Sequence, residues 1–245
     1  MGAQTAAKRP MTFADLQAMK RVSDPQISPS GKWVMFSVTD VSLEKNTKTN
    51  HLWVVPIAGG GERQLTMGTG ESNGRFSPNG RSVMYSAEDS DGKGQIFVAR
   101  WDDAAGTMSA AMSATGMETE ADGGVWAPDS IHFLFVSNVY PKCESKLPMG
   151  KAHNEEERDC NVYQDAIAAD SPVKAQVFDH LLYRHWNAYQ GAKHSHIFYG
   201  SLDPSESTAS VDLTPASVIG DHEAPSFSLG GPMGYAISPD GAEVA

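Results

Sequence analysis

A five-residue turn recurs along this chain at a nearly fixed interval, and that repetition limits the fold more than any other feature. It reads Ile27-Ser28-Pro29-Ser30-Gly31, Phe76-Ser77-Pro78-Asn79-Gly80, Trp126-Ala127-Pro128-Asp129-Ser130 and Ile237-Ser238-Pro239-Asp240-Gly241. The prolines lie 49, 50 and 111 residues apart, so the last gap is one period plus an insertion of about sixty residues. In each copy a hydrophobic residue closes one strand. Pro then presets φ at the second turn position, and Asn, Asp or Gly tolerates the positions that follow. A β-branched and aromatic run comes next, at Trp33 to Ser37, Val83 to Ser86 and Phe133 to Ser137, with no helical period.

The rest of each unit aligns too. A third strand is expected at His51 to Val55, Gln95 to Ala99 and His196 to Gly200, and a fourth ending in Leu65-Thr66, Ala114-Thr115 and Leu213-Thr214. Four short antiparallel strands per period of about fifty residues describe a propeller blade. A β-sandwich also has short strands, but not one turn repeated at a fixed period. The expected fold is therefore all-β: a partial β-propeller with three complete four-stranded blades and the start of a fourth. The blades fall near 25–66, 74–115 and 124–214, the last with an insertion at about 138–190, and the fourth begins near 235. Residues 1–24 form a lead-in with one short helix, capped by Thr12, with Asp15 in its first turn and Phe13, Leu16 and Met19 on the face that packs on the first blade. The chain stops early in a strand, which reads as the front part of a longer protein. Tyr235, Ile237 and Val244 would lie at an open edge, through which self-association is expected.

Charge and hydropathy exclude several classes. A net charge of −11 without any Lys/Arg-rich run does not suit a phosphate-tracking nucleic-acid binder. The longest apolar runs, such as Ile131 to Val136, are strand-sized, so no membrane span is expected. Lys8 and Arg9 are followed by no apolar stretch, so the N-terminus is not an intact secretory signal. Either the protein is cytoplasmic or a leader was removed from a periplasmic or secreted one. Cys143 and Cys160 have neither metal-knuckle nor redox spacing. Flanking one polar segment, they read as a disulfide contributing roughly 3 kcal/mol, or else as two free thiols. The disulfide reading favours the oxidising compartment.

Four stretches carry a family resemblance: Leu16 to Ser37, Phe76 to Ala87, Leu182 to Phe198 and Pro225 to Gly241. On these the chain resembles the N-terminal propeller of the prolyl oligopeptidase family of serine peptidases, on the dipeptidyl- and acylaminoacyl-peptidase side. TolB-type and WD40-like propellers share the turn, but Arg184-His185-Trp186 and Ser228-Leu229-Gly230-Gly231 point to the peptidase branch. The resemblance implies a propeller that caps a C-terminal α/β-hydrolase domain and filters access to it. The partner it implies is a peptide substrate, met through a catalytic domain this chain does not contain. The serine of such enzymes sits in a G-x-S-x-G elbow, followed by Asp and His. Gly68-Thr69-Gly70-Glu71-Ser72 and Gly106-Thr107-Met108-Ser109 lack that spacing, so no catalytic residue is assigned here.

Candidate contacts remain. The resemblance implies propeller glutamates that hold a substrate's free amino terminus, for which Glu155 and Glu156 stand, with Arg184 and His185 beside them. A solvated charged loop is the alternative for the acidic run Glu155-Glu156-Glu157. His180, His185, His194 and His196 cluster in sequence. On a strand, His194 and His196 share a face and could offer two imidazoles to Zn²⁺, with simple strand packing as the alternative. Asp89 and Asp91 resemble part of a Ca²⁺ loop, or a plain hairpin turn. No cofactor is required by the pattern, and Ca²⁺ is the ion that this turn could take. The rival functions are a free-standing TolB-like protein-binding propeller and a metal-dependent propeller hydrolase such as a lactonase.

Overall fold

The computed structural model describes residues 9–144, 153–173, 175, 177–178, 184–185, 188–189, 191–206, 210–220, 222–225 and 234–245. Helix α1 (Phe13–Ala18) leads into a first antiparallel sheet of β1 (Arg21–Ile27), β2 (Trp33–Ser42), β3 (Thr47–Pro56) and β4 (Arg63–Gln64), paired in chain order. A second sheet holds β5 (Ser72–Phe76), β6 (Ser82–Glu88), β7 (Gly94–Asp102) and the short β8 (Thr107–Met108), with β9 (Met112–Ser113) also paired to β7. The third starts with β10 (Asp122–Trp126) and β11 (His132–Val139). It is interrupted by helix α2 (Glu155–Asp170) and a ribbon of β12 (Arg184–His185) and β13 (Ala188–Tyr189). It resumes with β14 (His194–Ser201) and β15 (Val211–Asp212), and helix α3 (Ala216–Ile219) follows. The fourth turn carries a single antiparallel bridge, Ile237 to Val244. These are the blades of a partial propeller.

The repeated turn has one geometry. The fifth residue of each copy donates its N–H to the carbonyl of the second: Gly31 to Ser28 at 2.8 Å, Gly80 to Ser77 at 2.8 Å, Ser130 to Ala127 at 3.1 Å and Gly241 to Ser238 at 2.8 Å. That fifth position is left-handed in all four, with φ of +71°, +68°, +63° and +74°. Glycine adopts it freely and Ser130 does so under strain, which is why three of the four copies end in Gly.

A second device repeats in register, at the threonines that recur where each fourth strand ends. The Thr66, Thr115 and Thr214 hydroxyls accept from the backbone N–H of Leu52, Ile96 and Ile197 at 2.9, 3.0 and 2.9 Å. Each threonine thus continues the fourth strand's pairing where the backbone ladder has ended. The residue before each donor is His51, Gln95 or His196, so these three occupy one structural position.

The core lies between successive sheets. Trp33, Met35, Leu52 and Val54 of the first pack on Val83, Tyr85 and Trp101 of the second. Met84 and Ile96 of the second pack with Trp126, Phe133, Phe135 and Phe198 of the third. Leu134 and Ile197 meet Tyr235. The innermost strands must come close for this. A Cβ on Gly74 would lie 2.9 Å from the Met35 methyl, and one on Gly124 would lie 2.8 Å from the Met84 sulfur.

Two sequence expectations need correction. The leading helix buries none of its residues, because Phe13 and Leu16 are 71% and 44% exposed, so it does not pack on the first blade. Nor is it the one substantial helix: α2 runs sixteen residues through the segment read as a charged loop.

Candidate functional site

The second-to-third strand turns and the connections between sheets gather at one end of the strands, and the insertion rises from that end. Its anchor is the Cys143–Cys160 disulfide, with a Cα–Cα distance of 5.5 Å, which ties the end of β11 to α2. Mutating both cysteines to Ala is expected to lower stability by about 3 kcal/mol, since the closed loop restricts the unfolded chain. Urea titration measures this, and free-thiol titration of the unfolded wild type should find no reactive thiol. Two thiols would count against the bridge.

Helix α2 starts where it does because Asn154 and Glu157 form a reciprocal cap: the Asn154 side chain accepts from the Glu157 N–H at 3.0 Å, and the Glu157 carboxylate accepts from the Asn154 N–H at 3.2 Å. That cap aims Glu157 at His153. The imidazole of His153 bridges Glu157 at 3.1 Å and Glu118 at 2.9 Å, and its backbone N–H reaches the Ser210 carbonyl at 2.7 Å. Burial pushes the His153 pKa down, but the two carboxylates outweigh it and hold it up at about 9. Further along α2, buried Asn161 accepts from the Tyr140 N–H at 2.9 Å. Asp165 accepts from the Tyr140 hydroxyl at 2.9 Å and pairs with Lys193 at 2.7 Å. Burial, and then Asp165, push the Tyr140 hydroxyl up to about 12.

Two hollows flank this assembly. One, of about 530 Å³, lies between α2 and the ends of β11 and β13, lined among others by Tyr140, Lys142, Gln164, Ile167, Tyr189 and Lys193. The Lys142 and Lys193 ammonium groups lie 5.6 and 5.4 Å from the Tyr140 ring centre. The other, of about 240 Å³, lies between the second and third sheets beside Glu88, Glu120 and Asp122. Its Glu120 backbone is left-handed, at φ +70°.

The sequence candidates scatter across this end. Glu155 and Glu156 are exposed, as a solvated run would be, but they occupy the first turn of α2 and not a loop. Arg184 is exposed on the β12–β13 ribbon, which includes the His185 backbone. The His185 side chain, His180 and Trp186 lie outside the described residues. Asp89 is a turn cap, accepting from the Asp91 and Lys93 N–H groups at 2.9 and 3.0 Å. His194 and His196 share a face of β14, yet the groups that converge on His196 are Glu144 and Asp212. Sequence reasoning missed His153, Glu118, Glu144 and Asp212. Only His153 had a local signal, the capping pattern that follows it.

No family profile matches the chain. It is 26% identical over 243 residues to dipeptidyl-peptidase 5 of Porphyromonas endodontalis, covering 99% of this chain and 31% of that protein. It is 23% identical over 243 residues to dipeptidyl-peptidase 5 of Aspergillus fumigatus, covering 96% and 31%. The chain thus spans about a third of the length of these curated relatives. A solved acylaminoacyl peptidase of Pyrococcus horikoshii superposes with a TM-score of 0.53 at 15% identity, over 80% of this chain and 26% of that one, a likeness of fold. No helix among the described residues is long and apolar enough to cross a membrane.

Proposed function

We propose that a chain so similar to part of dipeptidyl-peptidase 5 is the propeller portion of a serine peptidase of the prolyl oligopeptidase family. Its work is to select peptide substrates and to pack against a catalytic α/β-hydrolase domain. The observation that carries this reading is the length of the likeness, 99% of this chain against 31% of the relative. A chain that matches a peptidase throughout, yet holds no nucleophile elbow, supplies the parts of that enzyme that do not cut.

On this reading the end of the strands that bears the insertion faces the substrate. Glu155, Glu156 and Arg184, all exposed there, meet the peptide. Glutamates suit a free amino terminus, because a carboxylate hydrogen-bonded to an ammonium is a charge-assisted pair. The isolated chain should not hydrolyse dipeptidyl chromogenic substrates and should not label with a fluorophosphonate. In the full-length gene product, Glu155→Gln with Glu156→Gln should raise KM several-fold with kcat unchanged, the mark of binding lost equally from the ground and transition states. Covalent labelling of a serine within residues 1–245, or turnover by the isolated chain, would overturn the assignment.

A further inference from the structure

Glu144, His196 and Asp212 come from three separate segments and converge. Glu144 directly follows Cys143, His196 is the third residue of β14, and Asp212 ends β15. The His196 side chain is fully buried, with Nδ1 2.7 Å from Asp212 Oδ2 and 3.5 Å from Glu144 Oε1. One ligand atom from each residue lies within 4.8 Å of the other two. Nε2 of the same ring has no hydrogen-bond partner among the described residues. The two carboxylates are 16% and 15% exposed, which leaves a route in from solvent.

The other sheets show what this position does when it is only structural. In the first, His51 meets a single carboxylate, Glu71, at 2.7 Å. In the second, Gln95 accepts from the Thr115 hydroxyl at 2.7 Å and donates to the Met117 carbonyl at 2.8 Å. The third sheet adds a second carboxylate, delivered by the insertion. Glu144 is held in place from its other side, where the Ala216 N–H reaches both of its oxygens at 2.9 and 2.8 Å. Two carboxylates gathered on one buried imidazole are costly unless a positive charge is shared among them.

We propose that Glu144, His196 and Asp212 bind one divalent cation of the zinc type, which ties the insertion to β14 and β15. One imidazole and two carboxylates suit Zn²⁺, whereas Ca²⁺ takes oxygen ligands throughout. With ligand bonds of about 2.0–2.2 Å, donors around a tetrahedral zinc stand about 3.4 Å apart. The Glu144–His196 separation already fits, and the Asp212–His196 pair must open by roughly 0.7 Å. Water completes the coordination.

The test uses the disulfide-intact chain, stripped with chelator and titrated with ZnCl₂ by calorimetry. One equivalent should bind, and excess Zn²⁺ should raise Tm by several degrees. CaCl₂ at the same concentration should do neither. His196→Gln places in the third sheet the residue that the second carries at Gln95, so the fold is expected to tolerate it. This variant and Glu144→Gln should each bind Zn²⁺ at least tenfold more weakly and lose the Tm shift. If His196→Gln does not fold, Glu144→Gln at the partly exposed rim carries the test. The proposal falls if the wild type takes up no stoichiometric Zn²⁺, or if the folded variants bind it as tightly as the wild type.

Discussion

Phe198→Ala is expected to lower the free energy of unfolding by about 3–5 kcal/mol, the range for truncating a buried phenylalanine. Phe198 is 1% exposed, stacks on Phe135 with ring centres 5.5 Å apart, and sits in the cluster that joins Met84 and Ile96 of the second sheet to Phe133 of the third. The His153 ring meets it edge-on at 6.0 Å, so the substitution also removes the apolar wall behind the Glu118–His153–Glu157 bridge. Collapse of the cavity is resisted from both sides, because each sheet's strands are fixed by their own ladders. Urea titration should show a lower midpoint at unchanged slope. Val177→Ala, at a side chain 93% exposed, should shift stability by no more than about 0.5 kcal/mol. A Phe198→Ala cost below about 1 kcal/mol would mean that the second and third sheets do not share a packed core.

What the chain discloses in advance follows the range of the interactions involved. The turns were legible because Pro29, Pro78, Pro128 and Pro239 set φ locally, and the residue two positions on answers with a left-handed backbone. The strands after them were legible because the branched and aromatic runs belong to buried sheet faces. The alignment of His51, Gln95 and His196 was legible as a pattern, but its meaning was not. The hydroxyls that latch the next residue come from Thr66, Thr115 and Thr214, fourteen, nineteen and seventeen residues further on.

Helix α2 was misread for a different reason. Its charged residues leave no continuous apolar face, and only Asn161 is buried among its described side chains, so hydrophobic periodicity was silent. The capping pair Asn154 and Glu157 was the available signal. The end that bears the insertion is harder still, because its partners are tertiary. Glu118 is 35 residues from His153, and Glu144 is 72 residues from the Ala216 N–H that holds it. No local rule pairs such residues, because each lies outside the strands and is brought to its partner by tertiary packing.

Stability should fall between about pH 7 and 10 because of His153 alone, by an amount on the order of 3 kcal/mol. The side chain is 12% exposed, between Glu118 at 4% and Glu157 at 15%. Donating to both carboxylates at once requires both ring nitrogens to carry protons, so the bridge exists in full only for the imidazolium. Burial works against that charge, but the hydrogen bonds to Glu118 and Glu157 prevail and set the folded pKa at about 9, above the unfolded 6.5. A raised folded pKa means stabilisation that is complete below 6.5 and fades as pH climbs through 9. On the acid side the limit is Glu118: burial pushes its carboxyl up, but His153 overrides this and holds it below its ordinary value, so its share is lost as pH falls through that lowered pKa. His153→Gln keeps a neutral hydrogen-bonding group but leaves two carboxylates facing each other, at a cost of about 3–5 kcal/mol near neutral pH. Urea titrations of both proteins from pH 6 to 10 should therefore converge at the alkaline end, and the difference between them cancels the titrating groups that do not touch His153. Hydrogen exchange at the Tyr140 amide, which Asn161 holds from the same helix, should accelerate over the same pH range once the intrinsic pH dependence is subtracted. A difference between wild type and variant that stays flat from pH 6 to 10 would show that the imidazolium does not clamp α2 to the third sheet.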